Sequence, residues 1–413
     1  MTLLRCPWEW GLMQVLGEPD EPTETAEATA EHLSRTSLLE QVEVLRNAPG
    51  GGRQLVSEYT LHPATAEFAA TRQGADAAQI RAAHRRIGDW LEAEAARSPY
   101  FEINLEAGHH LFAAGEYDRS EGLLGPASQW LGEHGRVREG LRVLEPLLTE
   151  PVRKSLAPER VGRLLDTVGI AYFALGQVEK ATEYYEKSIM IACEIGDRLG
   201  EGSALGNLGI AYAALGQVRT AIGYYEQQLV ISREIGDRCG EGCALGNLGI
   251  AYADLGEVAK AIGYYEQRIM ISREISDRRG EGNALGNLGR AYADLGQVEK
   301  AIGCYEKRFV IAREIGDRRG EGNALGNLGL AYADLGQVEK AIRYYEQQLV
   351  IVREIGDRRG EGRALGNLGL AYAALGQVEK AKGYWRTALG IGHEIKDPQI
   401  VRVFSQQLQN HGD

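Results

Sequence analysis

The sequence predicts an all-α protein built as an α-solenoid, and three observations predict this class. A segment that opens with the motif ALGNLG returns every 40 residues, in near-copies that begin at Ala204, Ala244, Ala284, Ala324 and Ala364. A less similar copy begins at Leu164, so six consecutive units occupy about residues 157 to 396. Each unit holds two apolar patterns of helical period, and none alternates with period two. Because a single helical hairpin cannot bury both its faces, stacked copies must share a continuous core.

The unit that begins at Ala324 shows the two helical patterns. Its first helix is predicted to bury a stripe made of Leu325, Leu328 and Tyr332. Its second helix is predicted to bury another, made of Ala341, Tyr345 and Leu349. These residues recur at intervals of three and four positions, which is typical of one buried helix face.

Glycine and aspartate separate the helices. Gly336 interrupts the apolar pattern as a turn, and Gly356 stands where a left-handed C-cap is expected. Asp357 follows at the position expected for the next N-cap. Each unit is therefore predicted to be a helix-turn-helix hairpin.

The stretch GEGNALGNLG, residues 320 to 329, is one residue away from a dinucleotide-binding fingerprint. That fingerprint requires a preceding strand, whereas the preceding segment IAREIGDRR has the pattern of a helix end. We therefore expect helical glycines here, with Gly322, Gly326 and Gly329 forming a smooth stripe. Such a stripe would let a neighbouring helix or a ligand backbone approach closely.

The recurring small and aromatic residues resemble the tetratricopeptide repeat signature. In the first close copy they are Leu208, Gly209, Tyr212, Gly216, Ala221 and Tyr225. The 40-residue length is similar to the long-repeat branch found in kinesin light chains and spindle-orienting scaffolds. The resemblance implies a right-handed superhelix whose first helices line a concave groove for a peptide or an extended protein segment.

A polar stripe beside the buried one is the candidate binding surface. In the five close copies its members are Ser203, Asn207, Ile210 and Ala214; Cys243, Asn247, Ile250 and Asp254; Asn283, Asn287, Arg290 and Asp294; Asn323, Asn327, Leu330 and Asp334; and Arg363, Asn367, Leu370 and Ala374. The asparagine is the same in all five copies, whereas the other three positions vary. The family resemblance implies that this face is the concave one and that its asparagines hold ligand backbone or a terminal carboxylate.

The chemistry of the stripe suits an extended peptide. An amide both donates and accepts hydrogen bonds, so a row of asparagines can bind backbone N–H and C=O groups without demanding a sequence. Arg290 and Arg363 suit carboxylates, and three aspartates suit basic groups, namely Asp254, Asp294 and Asp334. A structural alternative stays open, in which the asparagines bond between neighbouring hairpins and set the pitch of the solenoid.

Arginines cluster where each hairpin meets the next. They are Arg198, Arg238, Arg278 with Arg279, Arg318 with Arg319, and Arg358 with Arg359. Arginine in the first turn of a helix opposes the helix dipole. Ion pairs with glutamates three residues on would offset that cost, and the expected partners are Glu201, Glu241, Glu281, Glu321 and Glu361. The alternative is a basic rim for an acidic ligand.

The ends of the chain differ from the repeats. Residues 1–97 are expected to form a winged-helix-like region, with a helix from Ser37, a glycine turn, a strand over Gln54 to Thr60 and another helix. Residues 98–156 are expected to be degenerate repeat-like helices, and residues 397–413 a capping helix. The segment YTLHP from Tyr59 resembles the winged-helix module of signal-transducing NTPases. That resemblance implies a second possible role, as a sensor that acts with an effector or an ATPase supplied in trans.

Composition and motifs exclude several classes of partner and activity. A net charge of -12 disfavours nucleic acid and anionic membranes as partners. Five cysteines show no CxxC pair, and no apolar stretch approaches membrane length, so we expect a cytoplasmic protein. His109 and His110 are adjacent on a helix and point in different directions, with one expected to be partly packed and the other solvated. No catalytic, cofactor or metal motif is present. The sequence thus predicts a binding scaffold without enzymatic activity.

Overall fold

A computed structural model describes residues 39–47, 53–61, 77–97 and 101–412. The chain divides into two compact units, with the boundary between Ala204 and Leu205. The expected glycine turn at Gly50 and the helix after Pro63 lie outside the described residues, as does His62. No helix in the described ranges is long and apolar enough to cross a bilayer.

The first described elements are two antiparallel strands, β1 (Leu39–Asn47) and β2 (Arg53–Leu61). Their register pairs Leu39 with Leu61 and Val44 with Val56. The strand expected over Gln54 to Thr60 is confirmed, but the helix expected from Ser37 is wrong. In the segment LEQVEVLRN, Val42 and Val44 stand on either side of Glu43, and this period of two favours a strand over a helix.

The rest of the first unit is helical. Its helices are α1 (Ala77–Arg97), α2 (Phe101–Ala114), α3 (Tyr117–Glu133), α4 (Val137–Leu144), α5 (Glu150–Arg153), α6 (Pro158–Ala174) and α7 (Val178–Ile195), with a 3-10 turn at Glu145–Leu148. Helices α1 to α4 pack each against the next, and α6 packs against α7. Gly115 and Gly135 take the positive φ that the tight turns after α2 and α3 require.

The second unit continues the series of helices. These are α8 (Arg198–Ala214), which begins before the boundary, α9 (Val218–Ile235), α10 (Arg238–Asp254), α11 (Val258–Glu274), α12 (Arg278–Asp294), α13 (Val298–Glu314), α14 (Arg318–Asp334), α15 (Val338–Glu354), α16 (Arg358–Ala374), α17 (Val378–Glu394) and α18 (Pro398–Asn410). From α9 onwards each helix packs against the next one in the chain. The all-α solenoid of helical hairpins is therefore confirmed.

Helices α6 to α17 form six hairpins, which we number 1 to 6 along the chain. The expected caps are present: Asp357 accepts a hydrogen bond from the backbone N–H of Gly360, and Gly356 has φ of 69°. Gly336 takes φ of 70° in the turn within hairpin 5. Local turn chemistry thus sets the boundaries of each hairpin.

The core of each hairpin is formed by the predicted stripes. In hairpin 5, Leu325, Leu328 and Tyr332 are buried on the first helix, as are Ala341 and Tyr345 on the second. Leu349, expected in the same stripe, is half-buried and packs against this core. The glycines of GEGNALGNLG lie under the second helix of the same hairpin, because Gly326 faces Gln348 and Gly329 faces the Tyr345 ring. The close approach therefore serves a neighbouring helix.

Ion pairs connect consecutive hairpins of the second unit. Buried Glu281 accepts hydrogen bonds from Arg273 at 2.6 Å and from Arg278 at 2.5 Å, and Arg278 also pairs with Glu314. The expected pairs between a helix-start arginine and the glutamate three residues on are all present: Arg198–Glu201, Arg238–Glu241, Arg278–Glu281, Arg318–Glu321 and Arg358–Glu361. Most of the basic rim is therefore engaged in structural pairs.

Candidate functional site

The polar stripe is accessible along the first helices. Its first, third and fourth positions are exposed in all five copies, and the asparagine positions are half-buried in all five. The apolar members are the exposed side chains Ile210, Ile250, Leu330 and Leu370, with exposed fractions between 39 and 47%. An asparagine that lies between a buried stripe and solvent can present its amide to a ligand while its Cβ packs on the helix.

The first helices of the second unit come close to one another. Helix α12 contacts both α10 and α14 directly, whereas consecutive second helices contact one another less in the described part of that unit. The stripe positions of these three helices therefore lie side by side in the second unit.

Three of the five asparagine amides make no side-chain hydrogen bond within residues 205–412. Asn287 Oδ1 accepts a hydrogen bond from Arg290 Nη2 at 3.2 Å within the same helix. Within residues 205–412, no hydrogen bond joins the side chains of Asn247, Asn327 or Asn367 to a neighbouring hairpin. Their donors and acceptors are thus available to a ligand.

Charged members from neighbouring hairpins converge near hairpin 4. Burial raises the pKa of Tyr265 to about 12, an effect that Arg290 opposes and that Asp254 and Asp294 reinforce. These three stripe residues, from helices α10 and α12, therefore lie close to the same buried tyrosine. The stripe brings one cation and two carboxylates together at this point.

The second helix of hairpin 4 adds another cation beside the stripe. Arg308 of α13 reaches back to α12, where its guanidinium lies against Gly286 and lines a small cavity with Asn283 and Arg279. Desolvation lowers the pKa of Arg308, and Asp317 partly offsets that effect. Sequence reasoning missed Arg308 because only the first helices were expected to line the site. Comparison between copies gives the signal, since Gln228 and Gln348 occupy the equivalent position in hairpins 2 and 5. Hairpin 3 also has an arginine there, Arg268, but it pairs with Asp277 at 3.6 Å.

Histidine and cysteine are among the side chains most often used in catalysis and metal binding, and the described ranges contain both. No group of three histidine, cysteine or acidic residues that could hold a metal occurs in the parts of the chain that the structure covers. Cys239 and Cys243 are both exposed on α10, and burial raises the pKa of the Cys239 thiol. His110 is fully buried, and His109 is half-buried rather than solvated.

The chain belongs to the tetratricopeptide repeat family. The model of that repeat matches residues 160–234, 240–314 and 320–391, which together are more than half of the chain. The class defined by fold and family is a repeat scaffold of the kind that supports protein interactions. None of the curated proteins matches the sequence.

Several solved structures are similar to the chain, and the first two described here share its fold. The chain is 18% identical to a signal transduction ATPase with numerous domains from Pyrococcus horikoshii that carries a tetratricopeptide repeat sensor, with a TM-score of 0.57. That match covers 96% of this chain and 65% of the other, so the chain spans less than two thirds of it. It is 16% identical to a chain of the APC/C hetero-tetramer Cut9-Hcn1, with a TM-score of 0.50 and coverage of 80% and 59%. A putative kinesin light chain from Podosopora anserina is 25% identical, with a TM-score of 0.42 and coverage of 48% and 98%.

Proposed function

We propose that the protein is an interaction scaffold that binds a peptide or an extended protein segment along the stripe of its first helices. The asparagines Asn207, Asn247, Asn287, Asn327 and Asn367 would hold the backbone of the segment. The varying positions Asn283, Asn323, Arg290, Arg363, Asp254, Asp294 and Asp334 would select its side chains. The cytoplasmic location stays a prediction.

One observation carries this proposal: the same half-buried amide recurs on every first helix of the five close copies, beside positions that are exposed and vary. An extended peptide presents N–H and C=O groups in a regular series, and an amide can bond to both kinds. The structural alternative requires bonds between hairpins, and Asn247, Asn327 and Asn367 make none in the described second unit.

The charge of the stripe suggests the chemistry of the segment. Arg290 and Arg308 lie near Asn283 and Asn287 at the centre of the stripe, and Arg308 has no carboxylate within ion-pair distance in residues 205–412. A cation that is partly desolvated gains most from an anionic partner that enters the same site. Because Asp254 and Asp294 lie close to Arg290, we expect the acidic residue or terminal carboxylate of the segment at the cavity that Arg308 lines with Asn283 and Arg279 in hairpin 4.

The test begins with peptides selected from a random library on the purified protein, followed by affinity measurement. The variant Asn287→Ala with Asn327→Ala should bind the selected peptides at least tenfold more weakly at an unchanged melting temperature. The variant Arg308→Gln, which copies Gln348, should weaken only the peptides that carry an acidic residue.

A matched control removes two amides from the second helices. Gln227 and Gln347 are exposed, and Gln227 bonds only to the Gly223 carbonyl of its own helix. Replacing both with alanine should leave the peptide affinity unchanged. Equal losses in the control and the asparagine variant would contradict the proposal, and a large fall in melting temperature would favour the structural role.

A second candidate function is a sensor that acts with an effector or an ATPase in trans. The antiparallel pair β1 and β2 favours it, because the wing of a winged-helix module is a two-stranded antiparallel hairpin, although the sequence alone predicted a helix at β1. Purification of the tagged protein from its host should then recover an ATPase or an effector, and deletion of residues 1–97 should abolish that recovery. Recovery that persists after the deletion, or recovery of peptides alone, would contradict this candidate.

A further inference from the structure

Paired tyrosines recur on the second-helix side of the repeats, away from the asparagine stripe. In five of the six hairpins a tyrosine of the first helix stacks on a tyrosine of the second, with ring centroids 5.3 to 5.4 Å apart and planes within 18° of parallel. These pairs are Tyr172–Tyr184, Tyr212–Tyr224, Tyr252–Tyr264, Tyr332–Tyr344 and Tyr372–Tyr384. In hairpin 4 the first tyrosine is Tyr292, but Cys304 stands where the second ring would be.

This substitution coincides with a pocket of about 600 Å³. The pocket lies between the second helices α11 and α13 and is floored by α12, and its lining includes Tyr292, Cys304 and the buried side chains Ile269, Leu285 and Leu288. Its volume falls in the range of small-molecule sites, roughly 300 to 1,000 Å³. One face of the Tyr292 ring therefore borders open space at the place that a second ring fills elsewhere.

Two lysines border the same pocket. Lys300 lies over the Tyr292 ring with 5.2 Å between its Nζ and the ring centroid, as Lys180 does over Tyr172 in hairpin 1. Lys307 stands at the position of Lys187, whose Nζ lies 5.1 Å from the centroid of Tyr184. Because hairpin 4 has a cysteine in place of that tyrosine, Lys307 lacks the ring that Lys187 covers.

The pocket rim also carries one carboxylate and one arginine. Glu266 accepts a hydrogen bond from the Tyr292 hydroxyl at 3.2 Å, and Arg273 donates to Glu281. Lys300 and Lys307 have no carboxylate partner among the residues that the second unit comprises. Glu266 is exposed and keeps its negative charge, so the two lysines leave the mouth of the pocket with a small excess of positive charge.

We propose that this pocket binds an aromatic ring that carries an anionic group. The ring would stack on Tyr292, as the missing tyrosine does in the other hairpins, with the Lys307 ammonium on its opposite face. The anionic group would bond to Lys300 or Lys307 at the rim. The ligand is either a free aromatic acid or a tyrosine or phenylalanine among acidic residues of a partner. This site is separate from the asparagine stripe and does not depend on it.

The test uses 4-hydroxyphenylacetate as the free acid and an acetylated Glu-Tyr-Glu amide as the peptide source, titrated by calorimetry or by NMR. Cyclohexylacetate keeps the charge without the ring, and p-cresol keeps the ring without the charge. We expect either 4-hydroxyphenylacetate or the Glu-Tyr-Glu peptide to bind at least tenfold more tightly than cyclohexylacetate or p-cresol. The tighter binder of the two shows whether the natural ligand is a free acid or a peptide segment. If neither binds more tightly than cyclohexylacetate and p-cresol, the proposal is overturned.

Variants copied from the other hairpins sharpen the test. Cys304→Tyr restores the stacked pair and should abolish binding without lowering the melting temperature. Lys307→Gln, as in Gln347, should weaken the acid at least threefold and leave p-cresol unchanged. Tyr344→Cys should open a second, weaker site in hairpin 5, which raises the stoichiometry from one to two.

A second readout does not depend on the folding of any variant. Cys304 is buried, and burial raises the pKa of its thiol, so its slow alkylation is followed in alkaline buffer until the ligand-free protein has reacted. Saturating 4-hydroxyphenylacetate or the peptide should slow this reaction in the wild-type protein, while the exposed Cys239 and Cys243 react as before. Peptide mapping by mass spectrometry measures all three thiols at once. Bound ligand that leaves the alkylation rate of Cys304 unchanged, or binding that survives Cys304→Tyr, would overturn the assignment.

Discussion

The aromatic ring of Tyr345 lies directly on Gly329, and a Cβ atom at residue 329 would overlap the ring. The same contact recurs in the other hairpins, as Gly169–Tyr185, Gly209–Tyr225, Gly249–Tyr265, Gly289–Tyr305 and Gly369–Trp385. The absence of a side chain lets the two helices of a hairpin approach closely, and the buried ring fills the space between them. This contact explains why a helix contains glycine despite its poor helix propensity.

Replacement of Gly329 by alanine should therefore destabilise hairpin 5. The added methyl group has no space unless the Tyr345 ring moves, and overpacking of this kind costs about 1–3 kcal/mol. Urea unfolding of the variant and the wild type measures the difference. Gly263→Ala is the matched control, since a Cβ there meets nothing within 4 Å, and it should stabilise by about 0.5–1 kcal/mol. Equal effects at the two positions would contradict the packing role of Gly329.

Much of the fold could be predicted because helical spacing and helix-boundary residues recur in every 40-residue unit. Leu325, Leu328 and Tyr332 follow helical spacing, and Gly356 with Asp357 marks a helix boundary by backbone chemistry alone. Both signals are local, so a single sequence contains them. The first strand was mistaken for a helix because the four apolar residues of this short segment, Leu39, Val42, Val44 and Leu45, fit either period.

The candidate site could be predicted only in part. The stripe followed from residues on one helix, whereas Arg308 reaches the stripe from the second helix and was missed. The pocket at Cys304 was also missed, although the exchange of tyrosine for cysteine is visible in the aligned copies. Contacts between helices depend on side-chain direction in three dimensions, which spacing along one helix does not contain.

Replacement of Ser276 by glycine should stabilise the protein. Ser276 ends hairpin 3 with φ of 59°, where Gly236 and Gly316 stand in the neighbouring hairpins with φ of 71° and 69°. A side chain in this left-handed conformation is strained, and glycine relieves the strain, so we expect a gain of about 0.5–1 kcal/mol. Thermal and urea unfolding measure the gain. The reverse change, Gly316→Ser, should cost a similar amount, and a loss of stability in Ser276→Gly would show that the serine is favoured there.

Replacement of Glu281 by glutamine should weaken the junction between hairpins 3 and 4. Glu281 has a side chain only 4% exposed and accepts bonds from both Arg273 and Arg278. Hydrogen bonds to charged groups contribute about 1.5–3 kcal/mol, and solvent screening of the two half-exposed arginines places the expected loss near the lower value. Glu314→Gln is the control, because that exposed carboxylate should contribute less than about 1 kcal/mol. Equal losses in urea unfolding would show that burial of Glu281 adds nothing.

The hairpin of α1 and α2 should lose stability in acid through His110. Its Nδ1 lies 2.9 Å from Nδ1 of His84 in a hydrogen bond between two buried rings, and its Nε2 has no partner within the described residues. Burial lowers the pKa of His110 to about 3, and His84 and His109 contribute to the same shift. The ordinary pKa of histidine is about 6.5, so between pH 6.5 and 3 His110 is protonated in the unfolded chain and neutral in the folded one.

The contribution of neutral His110 to the free energy of unfolding is therefore fully present above pH 6.5, and it is lost as the pH decreases from 6.5 towards 3. Each pH unit in that window costs up to about 1.4 kcal/mol, so the loss between pH 6.5 and 5 should approach 2 kcal/mol. Hydrogen exchange of the α2 amides measures this local stability. His110→Leu removes the titrating group and should flatten the dependence between pH 6.5 and 5, even if it changes the stability at pH 7. Parallel pH profiles in the variant and the wild type would mean that His110 accepts its proton without leaving its buried position.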